Sequence, residues 1–135
     1  MSFNDDLIKD YRAAGKITSG PFVGRQLLLL TTTGAKSGST RTVPLVYTKE
    51  GDDYIVVASK GGAPTSPDWF HNLKVNPTVT VEVGTARFQA KATPASPDTE
   101  RERLYSAHAK VHPGFLDYLK KTTRRIPVVR LTRIA

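Results

Sequence analysis

The sequence predicts a mainly β domain with added helices, an α+β fold in which about six short strands form a barrel. Two observations favour this fold. Short runs rich in β-branched residues recur along the chain, and tight turns join two pairs of them. Helical segments are interposed in a pattern that fits a barrel better than a βαβ sheet. The 135 residues are enough for one domain, residues 1–135, with its own core.

The first half of the chain is predicted to contain one helix and three strands. Short polar and acidic residues at positions 4–6 favour a helix start and Gly15 favours its end, so residues 1–20 form an N-terminal helix and lead-in. The leucine-rich run Arg25–Thr33 predicts a buried strand. The strands expected to complete a β-meander with it are Thr42–Glu50 and Tyr54–Ser59, joined by a turn at 51–53.

The second half alternates helices and strands. Ser66-Pro67-Asp68 predicts a helix start with serine as the cap and proline at the first helical position, and Asn76-Pro77 predicts its end. The alternation TVTVEV indicates a strand, and Gly84-Thr85 a hairpin turn. The other predicted elements are the hairpin strands Thr78–Val83 and Ala86–Thr93, a helix from Ser96-Pro97-Asp98 to about Lys110, a helix Phe115–Thr123 and a strand Pro127–Arg133.

Composition and charge limit the classes of protein. The chain has no cysteine, which excludes disulfides, Cys-ligated zinc and thiol catalysis. The N-terminus lacks the basic and apolar regions of a signal peptide, and no apolar run approaches the roughly 20 residues of a membrane span. We therefore expect a cytoplasmic protein, with peripheral contact at the inner face of the membrane left open. The net charge of +8 favours an anionic partner, or simply a soluble basic protein.

Two glycine-bearing loops have the features of an anion site. The first, residues 34–41, holds Lys36 and Arg41 among glycines and hydroxyls, whose backbone amides can form an anion-binding nest. The second, Ser59-Lys60-Gly61-Gly62, follows a strand and precedes a helix N-terminus, which bears partial positive charge. Because the loops flank adjacent predicted strands, we expect them to converge on one anion. The alternative is that both are exposed turns with incidental basic residues.

Aromatic and histidine side chains give weaker signals. Trp69, on one helical face with Asn72 and Leu73, either lines a flat heterocycle or pins its helix to the barrel. His71, His108 and His112 lack the spacing of metal ligands, so we expect no metal. The basic charge fits an oligonucleotide-binding barrel, but the strands are poor in stacking aromatics, and we expect no nucleic-acid partner.

Three segments resemble the deazaflavin (F420)-dependent nitroreductase family. They are LLTTTGAKSGSTRTVPL, ASKGGAPTSPDWFHNLKVNP and HPGFLDYLKKTTRRIPVVRL, and the resemblance covers about residues 27–131. It implies an FMN-binding-like split β-barrel of six to seven antiparallel strands within the flavin/deazaflavin oxidoreductase superfamily. It also implies coenzyme F420, a deazaflavin whose tail carries a phosphate and glutamates, as the cofactor. That acidic tail gives the positive charge of the chain a partner by electrostatic steering.

The resemblance also assigns roles to individual residues. Lys36 and Arg41 would contact the phosphate, with Lys60 assisting and Gly61 and Gly62 letting the backbone pass close. The residues expected to border the ring and its linker are Pro44, Val46, Ala58, Ser59, Trp69 and Asn72. The helix within residues 112–123 would cover the pocket.

The implied chemistry is hydride transfer from the reduced deazaflavin to a small organic acceptor, a quinone, an enone or lactone, or a nitro compound. Ser59 and then Tyr118 are the candidate catalytic residues, each as a donor to the charge that develops on the acceptor. Better-known members carry several tyrosines in the covering helix, where this chain has His112, Phe115 and Tyr118, and Val46 stands where an aromatic is expected. The pocket should therefore be less polar, which makes nitroimidazole reduction doubtful.

Two other functions remain as alternatives. An FMN-binding split barrel, an oxidoreductase or a flavin-binding protein, would present a similar phosphate site and is commonly a dimer, so a monomer and a homodimer are both expected. A nucleic-acid-binding barrel would show salt-dependent binding of oligonucleotides that excess coenzyme does not affect.

Overall fold

The computed structural model describes residues 3–16, 26–62, 65–122 and 125–134. Within these residues the chain forms four helices and seven strands, so the predicted mainly β fold with six to seven strands is confirmed. The elements in chain order are α1 (Phe3–Ala14), β1 (Leu27–Thr33), β2 (Thr40–Val46), β3 (Thr48–Glu50), β4 (Asp53–Val57), a 3-10 turn (Lys60–Gly62), α2 (Asp68–Val75), β5 (Thr78–Val83), β6 (Ala86–Pro94), α3 (Asp98–Val111), α4 (Gly114–Lys121) and β7 (Val128–Arg133).

The seven strands form one antiparallel sheet in the order β2-β1-β5-β6-β7-β4-β3. Its two edge strands, β2 and β3, are consecutive in the chain and separated only by Tyr47. In a flat sheet, seven strands spaced about 4.8 Å apart would hold those edges roughly 29 Å from each other. One residue spans only a fraction of that distance, so the sheet must curl on itself to bring its edges together.

The predicted single strand Thr42–Glu50 is therefore wrong, and the simple β-meander with it. Residues 40–46 pair with β1, whereas residues 48–50 pair with β4 at the opposite edge of the sheet. The Tyr47 amide instead donates a hydrogen bond to the Gln26 carbonyl at 3.0 Å. Pro44, which has no amide hydrogen to give to a second neighbour, fits an edge strand.

Leucines of β1 pack on both faces of the sheet. Leu28 and Leu30 lie in the barrel core, whereas Leu27 and Leu29 pack against α1. Because successive side chains of a strand point to opposite faces, a strand covered on both sides needs an unbroken apolar run. The Tyr11 hydroxyl fixes α1 to this face by donating to the Leu27 carbonyl at 2.9 Å, and burial raises the pKa of that hydroxyl.

Helices α3 and α4 cover the outer face of β4. Ile55 and Val57 pack there against Leu104 and Phe115, while Val56 points into the barrel core. On this face β4 is followed by the 3-10 turn, which lies against α4. The helix that was expected to cover the site is thereby placed beside the second glycine-bearing loop.

Most predicted boundaries lie close to the observed ones. The hairpin of β5 and β6 and the extent of α2 are confirmed. The predicted strand Tyr54–Ser59 ends earlier, at Val57, and the predicted helix Phe115–Thr123 is α4, which ends at Lys121. Arg25 and Thr123, the predicted limits of a strand and a helix, lie outside the described residues.

The predicted serine cap of α2, with proline at the first helical position, is wrong by one residue, and α3 begins in the same way as α2. Pro67 and Pro97 occupy the cap positions, with ψ of 159° and −176°, and no side chain caps either helix. Extended ψ at the proline means that each helix begins at the following aspartate, whose negative charge suits the helix N-terminus.

Candidate functional site

The loop between β1 and β2 forms one wall of an open cleft of about 560 Å³. The opposite wall is the N-terminal half of α2. The described residues that line the cleft are Gly34, Ala35, Lys36, Ser37, Ser39, Thr40, Arg41, Asp68, His71 and Asn72. The structure thus brings together three residues predicted for the site, Lys36, Arg41 and Asn72.

Internal hydrogen bonds close this first loop on itself. The Gly34 amide donates to the Ser39 carbonyl at 2.8 Å, and the Gly38 amide donates back to the Gly34 carbonyl at 3.0 Å. A Cβ at Gly34 would lie 2.5 Å from the Ser37 hydroxyl, so only glycine fits there without a shift. Gly38 has φ of +73°, in the left-handed region that glycine adopts at least cost. The sequence of the loop therefore fixes its compact shape.

Asn72 ties the first loop to the helix across the cleft. Its Oδ1 accepts a hydrogen bond from the Ala35 amide at 3.0 Å, and its Nδ2 donates to Thr32 Oγ1 at 3.3 Å. One turn later, Asn76 Nδ2 donates to the Thr33 carbonyl at 3.4 Å. The two asparagines together fix α2 to the end of β1. Sequence reasoning placed Asn72 at the ring and missed Asn76, although their spacing of four residues on one helical face was a usable signal.

The charges of the cleft suit a phosphate. Lys36 and Arg41 are both exposed and line it, and they outnumber the carboxylate of Asp68 among its described residues. Lysine and arginine donate charge-assisted hydrogen bonds to phosphate oxygens, and the N-terminus of α2 adds a partial positive charge. A second cleft of about 490 Å³, between α1 and β2, shares Arg41 and is also lined by Lys9 and Arg12. The cationic surface of the first cleft therefore extends into the second cleft.

The second glycine-bearing loop is a strained turn against α4. Lys60 has φ of +49° and Gly62 has φ of +83°, and the Gly62 amide donates to the Ser59 carbonyl at 3.0 Å. A Cβ at Gly62 would lie 2.9 Å from the Cβ of Lys121 and 3.4 Å from the Cα of Tyr118. The residues of this turn are not among the described ones that line the first cleft. Convergence of the two loops on one phosphate stays a prediction.

The residues predicted to border the ring lie at different depths. Pro44 and Val46 are half-buried on β2, whereas Ala58 and Ser59 are buried just after β4. Trp69 is only 7% exposed and belongs to the barrel core. Its position fits the interpretation that it pins α2 to the barrel, and a contact with a bound ring remains a prediction.

Two buried histidines near the end of α3 contact the segment that connects the edge strands β2 and β3. His108 Nδ1 lies 3.1 Å from Thr48 Oγ1, and His112 Nε2 lies 2.9 Å from the Tyr47 carbonyl, which requires a proton on that nitrogen. The His108 ring also packs edge-on against Phe115, with centroids 4.5 Å apart. From the sequence, His108 had no expected role and His112 was expected only as part of the helix that covers the pocket. Among the described residues, no three His, Asp or Glu side chains are grouped to hold a metal ion.

Comparisons with known proteins agree with this architecture. A family model described as F420H(2)-dependent quinone reductase matches residues 6–133. An F420H(2)-dependent quinone reductase of Mycobacterium tuberculosis is 48% identical over 108 residues, which cover 78% of this chain and 72% of that protein. A solved structure described as an F420-H2 dependent reductase, FDR-A, is 42% identical with a TM-score of 0.72, covering 79% of this chain and 94% of that one.

A second solved structure, described as a domain-swapped dimer, is 35% identical with a TM-score of 0.74 and covers 94% of each chain. The family match begins within α1 and ends with β7, so it includes the first cleft, all residues of the second cleft except Asp5, the 3-10 turn and α4.

Proposed function

The chain belongs to the F420H(2)-dependent quinone reductase family, and we propose that it holds the phosphate of coenzyme F420 in the first-loop cleft while a quinone accepts hydride. Its split β-barrel fold and its dependence on coenzyme F420 accord with the resemblance seen in the sequence. The resemblance allowed quinones, enones, lactones and nitro compounds as acceptors. Members of the matched family are described as quinone reductases, so a quinone is the expected acceptor.

The observation that carries the proposal is the closed first loop with Lys36 and Arg41 beside it. Asn72 holds the loop at a fixed distance from α2, so the cleft is formed before any ligand enters. A preformed cationic cleft binds a phosphate without first ordering a loop, which lowers the entropic cost of binding. The residues present therefore fit a phosphorylated coenzyme.

The remaining predicted contacts follow from this anchor. With the phosphate in the first cleft, the ring would extend toward the residues at the ends of β2 and β4, and Lys60 would approach from the 3-10 turn. The residues we assign to the ring and its linker are Pro44, Val46, Ala58, Ser59, Trp69 and Asn72, while Gly61 and Gly62 would let the backbone pass close to the phosphate. Ala58 and Ser59 are both buried, just after β4.

Reduced coenzyme F420 supplies a hydride when bound. The balanced change is a quinone plus one hydride and one proton giving a quinol, with the coenzyme left in its oxidised form. The chain must orient the acceptor and donate a hydrogen bond to the oxygen on which negative charge develops. Ser59, buried after β4, and Tyr118, half-buried on α4, are the hydroxyls we assign to that role.

Replacing Tyr118 with phenylalanine should reduce turnover more than coenzyme affinity. The ring packs against Phe115, with centroids 5.1 Å apart, so phenylalanine keeps the packing and removes only the hydroxyl. Loss of one donor to developing charge lowers the rate by about a hundredfold. Steady-state turnover and the dissociation constant of the coenzyme should be measured side by side. Equal losses in both would make Tyr118 a structural residue.

The acceptor side of the site is expected to be apolar. His112 and Phe115 are buried, so of the three positions that match tyrosines in the family that the sequence resembles, only Tyr118 is half-exposed. Turnover with reduced coenzyme should be compared for menadione, cyclohexenone and a nitroimidazole. We expect menadione to be reduced fastest, and a chain that reduces none of them would contradict the proposal.

Binding of FMN is the control for the cofactor assignment. The chain should bind coenzyme F420 in preference to FMN, and the reverse order would favour the flavin-binding alternative.

A crystal soaked with the coenzyme would test whether the two glycine-bearing loops converge on one phosphate. Density between the first loop and Lys60 is expected, whereas an empty cleft would remove the assignment.

Assembly and location are part of the same proposal. A relative 35% identical is described as a domain-swapped dimer, and we expect either a monomer or a homodimer, which light scattering distinguishes. Within the described residues, no helix is both long and apolar enough to span a bilayer. We propose that contact with a membrane is peripheral, at the surface from which a lipid-soluble quinone is reached.

A further inference from the structure

The corner formed by the end of α3 and by α4 exposes large apolar side chains. Among the described residues, five large hydrophobic side chains are at least half exposed, and three of them lie at this corner. Val111 and Leu116 are each 52% exposed and Leu119 is 50% exposed. Single exposed hydrophobic side chains are common on protein surfaces. Three of them within nine residues form an apolar patch, and such patches often mark interaction sites.

The two faces of α4 have different partners. Phe115 and Tyr118 face the protein, where they pack in one cluster with α3 and β4. Leu116, Leu119 and Lys120 follow the spacing i, i+3, i+4 and share the outer face. Folding therefore uses one side of α4 and leaves its leucine side uncovered.

Basic residues surround the exposed leucines. Lys110 at the end of α3 and Lys120 and Lys121 at the end of α4 are all exposed, against a single carboxylate within α4, that of Asp117. Apolar side chains flanked by lysines are typical of helices that lie in the interface of a bilayer. Each basic residue near an anionic membrane adds an attraction of about fivefold in affinity.

We propose that this α3–α4 corner, Lys110 to Lys121, docks on the surface of an anionic lipid bilayer. The inference rests on the proposed function, because an enzyme that reduces a lipid-soluble quinone gains by lying where its acceptor is dissolved. A second copy of the chain fits the patch less well. Two copies meeting through this face by twofold symmetry would bring their own lysines together.

The corner is also next to the site. Lys121 and Tyr118 of α4 lie against Gly62 of the 3-10 turn, so the helix that meets the bilayer also touches a predicted coenzyme loop. A quinone leaving the bilayer beside α4 would reach the half-buried Tyr118 without crossing bulk water. Docking by this corner therefore places the acceptor and the predicted donor on the same side of the molecule.

Flotation with lipid vesicles tests the inference. The full chain should float with vesicles that contain phosphatidylglycerol and bind much less to vesicles of phosphatidylcholine alone. Leu116→Glu with Leu119→Glu should weaken binding to the anionic vesicles by about a hundredfold, since burial of each leucine contributes about tenfold. Lys110→Glu with Lys120→Glu should weaken it as well and remove the preference for anionic lipid.

Matched controls separate the corner from general surface properties. Val75→Glu with Ile134→Glu changes two other exposed hydrophobic side chains, 61% and 56% exposed, that lie elsewhere. Arg87→Glu with Lys91→Glu makes the same charge change on β6, at exposed positions. The hydrophobic control should bind vesicles like the natural chain, and the charge control should bind only slightly less. Losses equal to those of the corner variants would overturn the assignment.

Activity with a water-soluble quinone keeps this inference distinct from the proposed function. The leucine variant should bind coenzyme F420 and reduce menadione in solution normally, yet reduce a long-chain quinone embedded in vesicles poorly. Failure of the natural chain to bind anionic vesicles would overturn the docking proposal and leave the reductase intact. A concentration-dependent dimer that the leucine substitutions dissociate, without vesicle binding, would assign the patch to a second copy and overturn the inference too.

Discussion

Replacing Lys36 and Arg41 together with alanine is expected to weaken binding of coenzyme F420 by about 3 kcal/mol, or roughly a hundredfold in dissociation constant. Both side chains line the first-loop cleft, and each would lose a charge-assisted hydrogen bond to phosphate. The backbone hydrogen bonds that close the loop do not involve either side chain, so the loop should keep its shape. Titration of the coenzyme, followed by fluorescence or calorimetry, measures the effect.

A charge-matched variant separates direct contact from long-range attraction. Arg87→Ala with Lys91→Ala also removes two positive charges, but from exposed positions on β6. The chain carries a net charge of +8, so both variants lose some steering of an acidic ligand. That common loss should fade as salt is added, because screening extends over about 10 Å at 0.1 M. Equal affinities of the two variants at high salt would contradict a phosphate site at Lys36 and Arg41.

Local chemistry was enough to predict most helices and strands. The alternation in residues 78–83, the turn at Gly84 and the proline that follows Asn76 each act over a few residues, and the elements that they predict are observed. The unbroken leucine run of β1 correctly indicated a buried strand, and the structure shows that both of its faces are covered. These signals come from backbone preference and side-chain periodicity, which do not depend on distant partners.

The break at Tyr47 could not be predicted in the same way. Residues 42–50 have strand-forming character throughout, and nothing in their sequence marks where one partner strand is exchanged for another. The break is set by partners far along the chain, the Gln26 carbonyl and the imidazole of His112. Closure of the barrel is a tertiary event, so it leaves no local pattern in the sequence.

In the candidate site, too, some features could be predicted from local sequence and others depend on tertiary packing. The first loop was found from its glycines, hydroxyls and cations, because these residue types themselves supply the amides and charges for an anion. The clamp by Asn72 and Asn76 depends on how α2 lies across the end of β1, which the sequence does not state. The relation of the second loop to α4 likewise emerged only from the packing of Gly62 beside Lys121.

Gly62→Ala is expected to lower the free energy of unfolding by about 2–5 kcal/mol and to reduce turnover. An alanine in the left-handed region costs roughly 1–2 kcal/mol, and φ at Gly62 is +83°. The added Cβ would also lie 2.9 Å from the Cβ of Lys121, an atom fixed by the backbone of α4, and relieving such a contact costs roughly another 1–3 kcal/mol. The helix must shift outward, which carries Tyr118 away from its position beside the turn.

Gly51→Ala isolates the steric part of that effect. Gly51 has φ of +61°, but no atom lies within 4 Å of a Cβ built there, so it bears only the backbone cost of roughly 1–2 kcal/mol. Urea unfolding should therefore separate the two variants, and only Gly62→Ala should lose turnover. If both unfold at the same urea concentration and both keep full activity, α4 is not held by the glycine turn. The proposed link between that turn, Tyr118 and the acceptor would then have no structural basis.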